Sequence, residues 1–151
     1  MDKLPDETLK QALELEENGG EPAKILELLN HSAAAGNSEA QYALGTLYLH
    51  GKYVEFDSQK TLDFLRDAAD QMHAGALFDL GVALETGKIV KKNEKEAFRC
   101  YFHSMVFGDR QAIFEVARCL FHGIGTSKNL TMYKTLMAAD DFVKKIASPK
   151  P

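Results

Sequence analysis

Apolar positions in the middle of the chain fall into helical stripes that keep returning. Between Asn37 and His50 they stand at Ala40, Leu44, Leu47 and Tyr48, a spacing of three and four that gives a helix one face to bury. A break begins at Gly51, and a second stripe then runs through Leu62, Phe64, Leu65, Ala68 and Ala69. The pattern comes back after 36 residues and again after 36 more. Ala40, Ala76 and Ala112 share that step, as do Leu44, Leu80 and Val116, and Gly45, Gly81 and Ala117. So do Tyr48, Leu84 and Leu120; Gly51, Gly87 and Gly123; and Asp57, Asn93 and Asn129. Six columns at one period establish an internal repeat and predict helix–turn–helix units that bury their apolar faces by stacking.

Each column has a physical task. A glycine inside a helix costs up to about 1 kcal/mol relative to alanine. The column of Gly45, Gly81 and Ala117 therefore predicts a neighbouring helix too close for a larger side chain. Gly51, Gly87 and Gly123 stand where the first helix of each unit must stop, because glycine takes the left-handed conformation cheaply. Asp57, Asn93 and Asn129 are expected to cap the second helices. Gly36 and Gly108 close the second helices before them, whereas Met72 fills that slot in the middle unit and predicts a differently built corner. Toward the start the pattern degrades. Leu4–Glu17 reads as a helix with Asp6 as its N-cap, Asn18-Gly19-Gly20 breaks it, and Pro22–Ala34 forms another. The expectation is an all-α solenoid of αα-hairpin repeats, about four helix–turn–helix units in the single domain 1–151. The units are 4–35, 36–71, 72–107 and 108–147, with the last helix ending near Ala147 before Pro149.

These residues resemble the Sel-one-like repeat family, relatives of the tetratricopeptide repeats. Ala34-Ala35-Gly36-Asn37 and the stretches Ala40–Gly51 and Ala76–Gly87 carry the likeness, and Ala112–Gly123 carries it less closely, with Val116-Ala117 in place of Leu-Gly. The resemblance extends over residues 22–140. It implies a right-handed superhelix acting as an adaptor or scaffold for other proteins and implies no substrate; no cofactor and no catalytic residue are expected. Cysteine-rich secreted relatives carry one disulfide per repeat, a pattern this chain lacks.

Composition adds exclusions. Apolar residues make up 45% and charged residues 26%, a globular rather than disordered balance. The net charge of −4 gives no overall signature for nucleic acid or an anionic membrane. Residues 1–31 hold eight acidic residues against three lysines, and residues 109–151 hold seven basic against four acidic, so the chain grades from acid to base. No run approaches the roughly 20 apolar residues of a membrane span, and Met1–Lys10 lacks a signal-peptide pattern, so a cytoplasmic protein is expected. Cys100 and Cys119 align with core positions and read as small buried hydrophobes, reduced rather than bridged. His50 and His122 share a repeat slot two units apart, roughly 20 Å at the usual helix-packing distance, too far to share an ion. No metal-ligand spacing, nucleophile motif or phosphate loop appears, and Gly123-Ile124-Gly125 is the loop glycine pair of the repeat. The chain is expected to be no enzyme.

What remains is a surface. First helices usually line the concave side of such solenoids. On a helical wheel the stripe opposite the core is Glu39, Ala43, Thr46 and His50, then Gly75, Asp79, Val82 and Thr86, then Gln111, Glu115, Arg118 and His122. These positions vary between units while the core columns do not. Tyr42, Phe78 and Phe114 form a flanking aromatic line, expected to pack between adjacent first helices, with rim exposure as the alternative. Tyr42, Arg118 and Phe121 are the anchor types that interfaces favour. The expected function is a monomeric protein-binding adaptor, or alternatively an immunity protein that neutralises a toxin or effector. The acidic Glu39, Asp79 and Glu115 weigh against nucleic acid. Asp79 and Arg118 lie outside the core columns and are expected to be removable without unfolding the domain.

Overall fold

The computed structural model describes the backbone of residues 7–147 and the side chains of residues 7–141. Eight helices follow one another: α1 (Glu7–Glu17), α2 (Pro22–Ala34), α3 (Ser38–His50), α4 (Ser58–Asp70), α5 (Ala74–Thr86), α6 (Glu94–Val106), α7 (Arg110–His122) and α8 (Leu130–Ala147). No strand occurs among the described residues. Each helix packs mainly on its neighbours in the chain, which is the all-α repeat solenoid that the 36-residue period predicts. Leu4, the expected cap Asp6 and Pro149 lie outside the described residues.

The chain builds every unit with the same punctuation. Asp57, Asn93 and Asn129 accept from the backbone N–H of Lys60, Glu96 and Met132, capping α4, α6 and α8 as expected. Asn37, His73 and Asp109, another column at the same step, cap α3, α5 and α7. Gly51, Gly87 and Gly123 end the first helices with φ of 64°, 68° and 78°. The Met72 corner is a correction. Its φ is 61°, in the same left-handed region as Gly36 at 88° and Gly108 at 101°. The corner is therefore built like the others, with a methionine held where a side chain costs about 1–2 kcal/mol.

Two apolar clusters make the core. One joins α1, α2 and α3 through Ala12, Ile25, Leu29, Leu44 and Leu47. The larger runs from α4 to α7 through Leu62, Leu65, Leu80, Tyr101, Val116 and Leu120. The small-residue column sits at close helix contacts, as expected. A Cβ on Gly45 would stand 3.2 Å from the Leu65 side chain, and one on Gly81 would stand 2.7 Å from the Tyr101 ring. Ala117 is buried in the equivalent place. Cys100 and Cys119 are buried and unbridged, and burial pushes both thiols up to about 11.

Candidate partner-binding face

Where α3 meets α5, polar groups collect around an aromatic ring. The Tyr42 ring lies over Gly75, where a Cβ would come within 3.1 Å of Cζ, and its centroid is 4.6 Å from that of His73. His73 Nδ1 accepts from the Ala76 N–H at 3.1 Å, and Nε2 lies 2.9 Å from Glu39. An accepting Nδ1 leaves Nε2 as the protonated nitrogen, so His73 donates to Glu39 as a neutral ring. Tyr42 donates its hydroxyl to Asp79, and burial together with that carboxylate pushes the phenol up to about 12. Asp79 is half-buried. Burial pushes its carboxyl above the usual range, held back in part by the Tyr42 hydrogen bond and the nearby His50.

Beside this cluster lies a pocket of about 170 Å³ lined by Leu49, Leu65, Val82, Ala83 and Ile89, with Asp79, Thr86 and Lys88 at its polar positions. Val82 is 38% exposed. The Thr86 hydroxyl donates back to the Val82 carbonyl at 2.8 Å, so it is already committed to its own helix. Thr46 does the same to the Ala43 carbonyl at 2.8 Å.

Where α5 meets α7 the same face is closed by charge. One terminal nitrogen of Arg118 donates to both Glu85 oxygens at 2.8 and 2.7 Å, and Nε donates to Glu115 at 2.8 Å. Glu85 also accepts from the Tyr101 hydroxyl at 2.9 Å. Burial pulls the Arg118 pKa down, but the two carboxylates outweigh it and the guanidinium is held charged. Arg118 and Asp79 lie outside the core columns, yet neither stands free of structure. Both are half-buried members of hydrogen-bonded networks that tie one unit to the next, so their removal has a structural cost.

The expected site residues thus divide among several groupings. Glu39, Tyr42 and Asp79 gather around His73, Val82 and Thr86 share the adjoining pocket, and Thr46 and His50 line a second pocket with Lys52. Glu115 and Arg118 form the clamp. Phe121, 44% exposed, sits edge-on to His122 at 4.9 Å and lies 5.1 Å from Tyr133. Gln111 is exposed at the start of α7. The aromatic line divides too: Tyr42 packs on Gly75, Phe78 packs on Tyr101 at 5.6 Å, and Phe114 is more exposed at 43%. Sequence reasoning missed His73, Glu85, Leu49 and Ile89. His73 was findable, since it falls midway between Asn37 and Asp109 in a cap column. Glu85 was not, because its slot holds Leu49 one unit earlier and Phe121 one unit later. Among the described residues no group of three or more His, Cys, Asp and Glu is placed to hold a metal ion, and no helix is long and apolar enough to cross a membrane.

Capped helix pairs on a 36-residue step, stacked through small residues and varied along the first helices, define an α-solenoid repeat protein. Residues 38–73, 74–102 and 110–132 match the Sel1 repeat, and the chain belongs to the Sel1 repeat family. Proteins of this kind are in general interaction modules rather than enzymes. Over 102 residues the chain is 34% identical to DAP3-binding cell death enhancer 1 of Rattus norvegicus and 32% identical to its Mus musculus counterpart. That match takes in 68% of this chain and spans 19% of the length of either relative. Among solved structures it resembles a Sel1 repeat protein from Oxalobacter formigenes, with TM-score 0.78 and 26% identity over 85% of this chain and 54% of that one. Helicobacter pylori cysteine rich protein B matches with TM-score 0.65 and 26% identity over 69% of this chain and 79% of that one.

Proposed function

We propose that the face of the first helices, from α3 across α5 to α7, holds a segment of a partner protein, and that the chain works as a non-enzymatic adaptor. The observation that carries this is the open, mostly apolar pocket under the exposed Val82, flanked by the Tyr42–Asp79–His50 cluster. Apolar depth beside hydrogen-bonding groups is the make-up of a recognition site. The variation of this stripe in residue type between units, against core columns that stay small or apolar, supports the same reading. An adaptor is preferred to a toxin-neutralising role because the rat and mouse relatives are named for binding another protein, DAP3, within much longer chains. The partner inserts a protruding element, and a stable complex buries on the order of 1,200–2,000 Å² in total.

The test is affinity capture from the host with the tagged domain, followed by titration of the purified partner, with DAP3 the first to titrate. Val82→Glu places a charge in the pocket from an exposed position. It should weaken binding at least tenfold, about 1.4 kcal/mol, with an unchanged circular dichroism spectrum. Wild-type affinity in the folded variant would remove the pocket from the interface.

A further inference from the structure

The pocket under Val82 has a counterpart one unit earlier. Leu65, Asp79, Val82, Ala83, Thr86 and Lys88 line the first, of about 170 Å³, together with Leu49 and Ile89. Leu29, Ala43, Thr46, Leu47, His50 and Lys52 line the second, of about 140 Å³, together with Glu16. Leu49, Ile89 and Glu16 apart, subtracting 36 from each number of the first set gives the second set, residue for residue. The pockets are therefore a property of the repeat, one rung for each unit, formed where a first helix lies over the helix pair before it.

The rungs differ in what fills them. The earlier one is narrowed by polar groups, with Lys52 and Glu16 paired at 2.6 Å across its mouth. Adding 36 to Val82 gives Arg118, and adding 36 to Asp79 gives Glu115. There the guanidinium stands in the Val82 slot, clamped by Glu85 and Glu115. The middle rung combines an open mouth with mostly apolar walls.

We infer that the middle rung seats one large apolar side chain of a basic partner segment. This rests on the proposed groove and adds the partner's chemistry to it. An apolar cavity of about 150 Å³ accommodates a benzene ring, so the pocket of about 170 Å³ is the size for a Leu, Ile, Met or Phe side chain. Thr86 has spent its hydroxyl on its own helix, and the walls of Leu49, Leu65, Val82 and Ile89 offer no hydrogen bond to a polar guest. Charge sets what surrounds the anchor. Glu39 and Asp79 stand on the α3 side, and Glu85, Asp109 and Glu115 on the α7 side. Against these five carboxylates stand Arg118 and Lys88, while Lys92, near Glu85, is paired with Glu94. His73 is neutral in the tautomer its hydrogen bonds require. Neighbouring helices pack about 10 Å apart, so lysine or arginine within about that distance of the anchor reaches these carboxylates, and salt weakens the attraction.

The experiment is a display selection of random peptides on the immobilised wild-type domain, counter-selected on Val82→Glu, with both proteins checked for equal melting temperature. Peptides removed by the counter-selection should converge on one large apolar residue with Lys or Arg nearby. A synthetic peptide of that consensus should bind Val82→Glu at least tenfold more weakly and Asp79→Asn about threefold more weakly. Its affinity should fall as salt is raised. Val82-dependent peptides without basic residues would overturn the charge assignment and leave the groove standing. Peptides insensitive to Val82→Glu but displaced by His50→Glu would overturn the pocket while keeping the groove. Peptides insensitive to both substitutions would overturn the inference and the groove together.

Discussion

Slots 49 and 82, where α3 meets α5, hold a leucine and a valine; the same two slots one unit on, where α5 meets α7, hold Glu85 and Arg118. The backbone frame is shared. Both junctions have a glycine pressed against the following second helix, and both have a left-handed glycine closing the first helix. The contents diverge completely. At the first junction two apolar side chains leave a pocket open to solvent. At the second a guanidinium ties Glu85 to Glu115, while Glu85 also receives the hydroxyl of Tyr101, whose ring presses on Gly81. A repeat thus fixes where side chains meet, and the residues placed in the variable slots decide whether a meeting place becomes a clamp or a site.

The largest effect should come from the contact beneath the clamp. A Cβ on Gly81 would already lie 2.7 Å from the Tyr101 ring, so Gly81→Leu overpacks a fully buried junction. Urea denaturation should show a loss of about 1–3 kcal/mol. Gly45→Ala at the first junction should cost less, since its Cβ meets the Leu65 side chain at 3.2 Å and the Leu65 backbone at 3.5 Å, looser than the 2.7 Å contact at Gly81. Equal losses at the two sites would break the comparison. Next, Glu85→Ala strands the Tyr101 hydroxyl and leaves Arg118 with Glu115 alone, and should cost about 1–2 kcal/mol. A double-mutant cycle with Arg118→Ala should return a coupling of about 0.5–2 kcal/mol. Coupling near zero would make the clamp ornamental to the fold.

A smaller effect of opposite sign belongs to the corner between the junctions. Met72→Gly relieves a side chain held at φ 61° and should stabilise by up to about 1 kcal/mol after glycine's extra chain entropy is counted. An unchanged or lower melting temperature would mean that the methionine's packing outweighs its backbone strain. The smallest concerns pH. Asp79 binds its proton more tightly folded than unfolded, because burial raises its pKa above 3.8. Stability is therefore lost as pH rises from the unfolded value through the folded one. Asp79→Asn should flatten that part of the stability curve and should gain relative to wild type above it. A wild-type slope retained in the variant would assign the effect to another group.

The frame was legible in the sequence because its causes are local and periodic. A capping Asp57 or Asn93, a terminating Gly87 and a small Gly81 each act through backbone geometry within a turn or through one packing contact, and each recurs at 36. Met72 misled because a missing glycine suggested a new corner, whereas the stacked helices on either side hold the methionine in the old one. The site was half legible. A helical wheel placed Asp79 and Val82 on one stripe, but it could not show that Tyr42 would reach across to Asp79 or that Glu85 would capture Arg118. Both are contacts between units, decided by which side chain happens to stand 33 to 37 positions away. Periodicity reports what units share, and these contacts depend on where they differ.

Side-chain accessibility in the complex tests the central claim most directly. Hydroxyl-radical footprinting of the domain alone and saturated with its partner would report Leu49, His50, Val82 and Ile89 on the pocket side. Met72, Val106 and Phe107, all exposed at the opposite ends of the helix pairs, serve as references. The account predicts that labelling falls severalfold at the first group and stays unchanged at the second. Protection at Met72, Val106 and Phe107 with undiminished labelling of Val82 and His50 would contradict it.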